Sequence, residues 1–234
     1  MADQFRIRLC FVGLGESGAE YVDDGVECRA SNGEMVPDAF PEPTRVVVDR
    51  ENSLNPAEFS EFDVIVAAGS VATDGVVDNA LRVADACASE AVTMASVTGE
   101  LPLSDLNRLE RAFGTVAPIS QEQRCKELAT DVFTAFSQPM MLATDYASLH
   151  SNLQDGGVVT LTRSVGTRDT LQSLVKQCCG PGGVVFGYVE AGAEFTLADA
   201  TTLEEQFETP DVITGQASLG DPSGCRLTVL REGR

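Results

Sequence analysis

The sequence predicts an α/β protein in which two unequal halves are joined by one long helix. Three observations carry that reading. Residues 122–138 hold an apolar stripe in which Cys125, Leu128, Ala129, Val132, Phe133 and Phe136 recur at i, i+3, i+4, i+7, i+8 and i+11, the spacing of one helix face. Upstream of that helix, short apolar runs such as Asp63–Gly69 and Ala91–Ser96 alternate with segments of helical spacing, as in a parallel sheet with crossover helices. Downstream of Gly157 the alternation resumes with different proportions.

Taken in order, Phe5, Ile7, Leu9 and Phe11 alternate with polar or small residues and predict a strand over 5–12. The strand runs into Gly13-Leu-Gly15-Glu-Ser-Gly18. Residues 26–30 and 45–49 are candidate strands, with Pro37, Pro41 and Pro43 marking the loop between them. Asn55-Pro56 opens a turn into a short segment ending at Glu61. Residues 63–69 form a buried central strand, and Val76, Ala80, Val83, Ala84 and Cys87 the stripe of the following helix. A strand over 91–96, a helix through Leu106, Leu109 and Phe113, and a strand over 114–119 lead into the long helix, which Pro139 ends because the residue before a proline is pushed out of helical geometry. A second helix over 144–153 closes at Gly156-Gly157. The remainder predicts strands over 158–161, 182–189, 211–217 and 226–230, and helices over 170–178 and 201–207.

Composition narrows the setting. Sixteen basic against thirty-six acidic residues give a net charge of −20, dispersed along the whole chain, and lysine occurs only at Lys126 and Lys176. Such a surface repels itself unless salt screens it, which points to a cytoplasmic protein of a salt-loving organism. The rival, an acidic protein with a basic partner, would concentrate its charge. No basic stripe exists for nucleic acid. Seven cysteines without a C-x-x-C spacing read as small buried hydrophobes, with neither a disulfide framework nor a zinc site expected. His150 is the only histidine, so a histidine triad or multi-histidine metal site is excluded. No signal peptide and no membrane-spanning run is present, so no direct membrane insertion is expected.

Two glycine-bearing turns and one segment after the long helix carry the candidate chemistry. Gly13, Gly15 and Gly18 follow a strand in the G-x-G-x-x-G spacing, where bare peptide N–H groups can close around a phosphate; a tight strand-to-helix turn would select the same residues. Gly69, Ser70, Thr73 and Gly75 follow the central strand in Ala67-Ala68-Gly69-Ser70-Val71-Ala72-Thr73-Asp74-Gly75. After Pro139 comes MMLATDYASLHSNLQDGG. In order and spacing these segments resemble the FtsZ/tubulin family. The first turn is similar to that family's G-G-G-G-S-N-A loop through Gly13, Gly15, Ser17 and Ala19; the second to A-A-G-x-G-G-G-T-G-T-G; the third to G-L-x-N-x-D-x-A-D. VFGYVEAGAEFTLADATTLEEQF and SGCRLTVLREG resemble later family passages, so loose similarity covers nearly the whole chain.

The resemblance implies a parallel-sheet, Rossmann-like N-terminal half over 1–121, a central helix over 122–138 and a smaller α+β half over 139–234. It implies a division or shape-determining cytoskeletal role, with itself or other FtsZ-like subunits as partners. GTP is the cofactor if there is any, held by Gly13, Gly15, Ser17, Gly18, Gly69, Ser70, Thr73 and Gly75, while Asp145 is the residual catalytic carboxylate that would act on a neighbour's nucleotide. Departures cluster in all three segments. Glu16 replaces a glycine, Gly18 an asparagine, the triple glycine is gone, Asp74 adds a carboxylate, and Ala143 and Ser148 stand where the family has asparagine and aspartate. Loss of GTP hydrolysis is therefore expected. The apolar Met140-Met141-Leu142 beside Asp145 suits a protein-to-protein contact or packing under the helix. The chain stops at Arg234 just after its last strand, so no adaptor-binding tail is expected. Two other classes remain: a nucleotide-binding, slowly hydrolysing filament protein, and a dinucleotide enzyme, for which none of Glu34, Asp38 and Glu42 is well placed to hold a ribose.

Overall fold

A computed structural model of the chain describes residues 7–23, 43–49, 54–137, 146–180, 182–207, 213–217 and 220–233. Strand β1 (Leu9–Leu14) passes without an intervening residue into α1 (Gly15–Asp23). There follow β2 (Thr44–Val48), the short α2 (Pro56–Phe59), β3 (Val64–Ser70), α3 (Val76–Ala86), β4 (Val92–Thr98), α4 (Leu103–Ala112) and β5 (Thr115–Ile119). The central helix is α5 (Glu122–Ser137), and α6 (Tyr146–Gln154) follows it. The chain continues through β6 (Gly157–Thr167), a 3-10 turn at Arg168–Thr170, α7 (Leu171–Cys178), β7 (Val184–Ala191), α8 (Leu197–Gln206), β8 (Ile213–Ala217) and β9 (Gly224–Glu232).

Among the described residues the strands form one nine-stranded sheet in the order β2-β1-β3-β4-β5-β6-β9-β7-β8. Every pairing from β2 to β6 is parallel, β9 is antiparallel to both β6 and β7, and β7 and β8 are parallel. The join between the two parts of the sheet is narrow: β5 meets β6 only at Thr115–Gly157 and Val116–Val158. Successive residues of β1 and β3 point to opposite faces, as strand geometry requires. Leu9, Phe11, Val64, Val66 and Ala68 pack beneath α1, α5 and α6, while Cys10, Val12, Leu14, Ile65 and Ala67 pack beneath α2, α3 and α4. Strands buried on both sides account for their near-continuous apolar runs.

Helix α5 belongs to the first of these faces along its whole length. All six stripe residues are buried, and Phe133 meets Phe11 edge-to-face with ring centroids 6.1 Å apart. The same cluster takes in Phe186 and Tyr188 of β7 and Leu230 of β9, so one helix covers both parts of the sheet. Burying a side chain the size of Phe133 contributes about 1.5–3 kcal/mol. The opposite face of β7 and β9 is covered by α7 and α8 through Leu171, Leu174, Val175, Ala200 and Leu203.

Several elements differ from their sequence-based bounds, three of them as follows. Strand β6 extends to Thr167 rather than stopping at 161, because it is in register with β9 from Val159–Glu232 to Thr167–Gly224. Helix α8 starts four residues before Thr201, where Thr196 and Asp199 form a reciprocal capping box. Strand β9 begins at Gly224 and runs to Glu232. The expected strand over 26–30 lies outside the described residues. No helix among the described residues is long and apolar enough to cross a membrane. Cys10, Cys125, Cys178 and Cys225 are buried, as their apolar settings predict, while Cys87 is half-buried and Cys179 exposed.

Candidate functional site

In an open parallel sheet a ligand crevice forms at the carboxyl ends of the strands where the strand order reverses. Here that place is between β1 and β3, with α1 and α3 leaving from opposite faces. The two glycine-bearing turns meet there, so the structure brings together Gly13, Gly15, Ser17, Gly18, Gly69, Ser70, Thr73 and Gly75.

What holds them together is largely protein on protein. A Cβ added at Gly13 would lie 2.2 Å from the Gly18 carbonyl oxygen, and one at Gly18 would lie 2.4 Å from the Gly13 carbonyl carbon. These two glycines let α1 lie directly on β1. Gly15 takes φ +70°, and the space its side chain would enter is bounded by Thr73 Cγ2 at 3.4 Å. Ser17 links the turns: its Oγ accepts the Ser70 N–H at 3.1 Å and the Thr73 hydroxyl at 3.3 Å. The Val71 N–H donates to the Thr98 carbonyl and the Thr73 N–H to the Ser70 carbonyl, both at 2.9 Å. Gly75, at φ +82°, is the N-cap of α3.

Several features of these turns oppose an anion. Three amide N–H groups of the 70–73 turn already have protein acceptors. Glu16 and Asp74 stand exposed on the rim, where an anion would approach, and neither turn carries a lysine or arginine. Arg108 of α4 is engaged by Asp78 at 2.8 Å and Asp105 at 3.2 Å. One feature points the other way. The hydroxyls of Tyr21 on α1 and of Ser96 and Thr98 near the carboxyl end of β4 are buried; Tyr21 and Thr98 lie within reach of one another, while Ser96 has no hydrogen-bond partner among the described residues, and an orphaned buried hydroxyl is costly unless a water or ligand serves it.

Asp145, Ala143 and Met140–Leu142 lie outside the described residues. Ser148 is half-buried on α6. His150 Nε2 sits 2.8 Å from the Glu90 carbonyl, and Gln154 Nε2 donates to the Ser89 carbonyl at 2.9 Å, fastening α6 to the turn before β4. His150 and Gln154 also line a cavity of about 530 Å³ with Arg8, Asp63 and Glu90, at the amino-terminal ends of β1, β3 and β4, away from the glycine turns.

Sequence reasoning missed the charged residues between α5 and the C-terminal strands. Asp131 is fully buried in the central helix, among Arg226, Thr228, Arg163 and Glu190. A signal was present: Arg163 and Arg226 occupy positions in phase with the core-facing Leu161 and Leu230 of their strands.

No protein-family model and no curated protein matches the chain in sequence. Solved structures do match in shape. FtsZ of M. jannaschii superposes in an empty-dimer structure with a TM-score of 0.68 at 14% identity, over 99% of this chain and 89% of that one. A mutant of the same FtsZ gives 0.65 at 14% identity, over 97% and 91%. The GDP-bound monomer of CetZ1 from Haloferax volcanii gives 0.60 at 12% identity, over 97% and 94%. At such identities the likeness shows the fold, which is FtsZ/tubulin-like.

Proposed function

We propose that this chain is a divergent FtsZ-like cytoskeletal protein, cytoplasmic and adapted to high salt, that assembles with itself or other FtsZ-like subunits and has lost GTP hydrolysis. The observation that carries this reading is the bond between the two glycine turns through Ser17, with Glu16 and Asp74 on the rim. A turn whose amides already hold protein oxygens has fewer donors for phosphate, and two unneutralised carboxylates oppose an anion. In the family a subunit's Asp145-equivalent segment meets its neighbour's nucleotide; with the phosphates gone, that contact becomes protein to protein. Asp145 then has a positioning role in the contact and no water to polarise. The FtsZ neighbour solved as an empty dimer is consistent with contact between copies that does not rest on nucleotide.

The test combines three measurements in molar potassium chloride: nucleotide content of the purified protein, GTP turnover, and light scattering with and without GTP. The expected result is no bound nucleotide, no turnover, and self-association indifferent to GTP that is abolished by Met141→Glu with Asp145→Arg while circular dichroism is unchanged. GTP turnover that disappears in Asp145→Ala would overturn the reading. The buried hydroxyls of Tyr21, Ser96 and Thr98 favour a second reading, in which nucleotide is retained and hydrolysed slowly. Copurified nucleotide lost in Thr98→Val would select it.

A further inference from the structure

The seam between the two parts of the sheet is narrow in its backbone pairing and broad in its apolar contact. Strand β5 meets β6 only at Thr115–Gly157 and Val116–Val158. Helices α5 and α6 span the rest, through an apolar cluster that takes in Phe133, Leu153, Val185, Phe186 and Leu230. Apolar burial is non-directional, so such contacts set how strongly the parts adhere and define their mutual angle less sharply than hydrogen-bonded charges do.

One group of side chains on this seam is directional. Asp131 of α5 accepts Arg226 Nη2 of β9 at 2.9 Å on Oδ1 and the Thr228 hydroxyl at 2.7 Å on Oδ2. The same Arg226 nitrogen pairs with Glu190 of β7. Arg163 of β6 pairs with Glu127, one turn earlier on α5, and its Nη2 comes within 3.9 Å of Asp131 Oδ2. Asp131 has no exposed surface, and Glu190 and Arg163 are nearly as deep, while Glu127 closes the group at its rim. Arg124, at the start of α5, adds its field at Arg163.

Register makes this an anchor on three strands. Arg226 lies opposite Val165 and Glu190, and Thr228 opposite Arg163 and Tyr188. One carboxylate on the helix thus holds residues two places, about 7 Å, apart along β9. Hydrogen bonds weaken steeply once their angle falls below about 120°, so sliding or tilting the C-terminal strands against α5 breaks both. Such a displacement also leaves Asp131 buried without its cation, which is strongly destabilising. The native pairs themselves add little net strength, because desolvation of buried charges offsets their attraction.

We propose that the Asp131–Arg226–Glu190 cluster, with Thr228 and the Glu127–Arg163 pair, is an alignment device: it fixes the angle between the two parts of the sheet, while the apolar contacts supply the adhesion. This holds whether or not nucleotide binds.

The experiment measures angle and adhesion separately, at fixed molar potassium chloride. Spin labels on Cys179, exposed just past α7, and on Asn107→Cys, exposed on α4, report a distance across the seam by pulsed electron resonance. Cys28 and Cys87 are replaced by serine in every sample, and denaturant unfolding gives the folding constant. In an apolar variant carrying Asp131→Val, Glu190→Met, Arg226→Met and Thr228→Val, the folding constant should equal or exceed that of the parent while the distance distribution widens or splits. Leu230→Ala should do the reverse, lowering the folding constant by about a hundredfold with the distribution unchanged. A distribution in the apolar variant as narrow as the parent's would overturn the proposal, and so would equal widening in Leu230→Ala. Should the apolar variant fail to fold, the milder pair Glu190→Gln with Thr228→Val carries the same test, with the same two outcomes.

Discussion

Gly13 and Gly18 face one another at a separation that leaves no room for a Cβ on either. That contact is a demand of packing, and it exists whether or not a ligand does. Gly18→Ala should therefore destabilise the nucleotide-free protein by about 1–3 kcal/mol or more, because backbone rather than a flexible side chain must move. Ser17→Ala should cost about 1 kcal/mol by leaving the Ser70 amide and the Thr73 hydroxyl without their acceptor. Thermal melts followed by circular dichroism test both; melting temperatures unchanged in nucleotide-free protein would show the glycines and the serine to serve a ligand instead. The sequence made the need for bare backbone at these positions legible, but not its cause. A phosphate and a helix laid on a strand select glycine for the same reason, the absence of Cβ. The Ser17–Ser70 bond joins residues 53 apart and leaves no local trace. Asp131 was hidden in another way: on a helix, an acid flanking an apolar stripe looks like the solvent boundary until the partner strands are known.

At the scale of elements, α5 was the most legible because its stripe is long and its burial one-sided. It is helical as far as it is described, to Ser137. Strands were less so. In β6 the run Thr162-Arg163-Ser164 breaks the apolar pattern, yet Arg163 is an inward residue whose charge is met by α5, and pairing with β9 continues past it. Polar content thus shortened a strand on paper that cross-strand hydrogen bonds lengthen in the fold. In α8 the start is set by the Thr196–Asp199 cap, a local signal outside the apolar spacing. The single stripe of α5 meets both parts of the sheet, so its core residues should govern cooperativity. Phe133→Ala should cost about 3–5 kcal/mol and lower the protection of β1 and β9 amides together, since Phe133 touches Phe11 and shares a cluster with Leu230. Loss of protection confined to one part of the sheet would show that α5 does not couple them.

At the scale of the molecule, thirty-six acids and sixteen bases cannot neutralise one another by any arrangement. Several exposed arginines are already drawn into pairs, with Arg8 near Asp63, Arg108 between Asp78 and Asp105, and Arg168 on Asp199 at 2.8 Å. Salt acts on these exposed pairs and on the surplus acids in opposite directions. Exposed pairs are each worth about 0–1 kcal/mol, so weakening a few of them costs little. The surplus of twenty negative charges repels over the whole surface, at distances that a Debye length of about 3 Å at 1 M screens and one of about 10 Å at 0.1 M does not. Repulsion relieved therefore outweighs attraction lost, and the melting temperature should rise with potassium chloride from 0.1 M toward molar concentrations. Asp131 itself is fully buried, so Asp131→Asn should shift the whole melting curve and leave its salt slope unchanged. Melting scans of both proteins across the same salt series check the two statements together. A flat wild-type series would refute the repulsion argument, and a slope altered in the variant would place the cluster within reach of solvent.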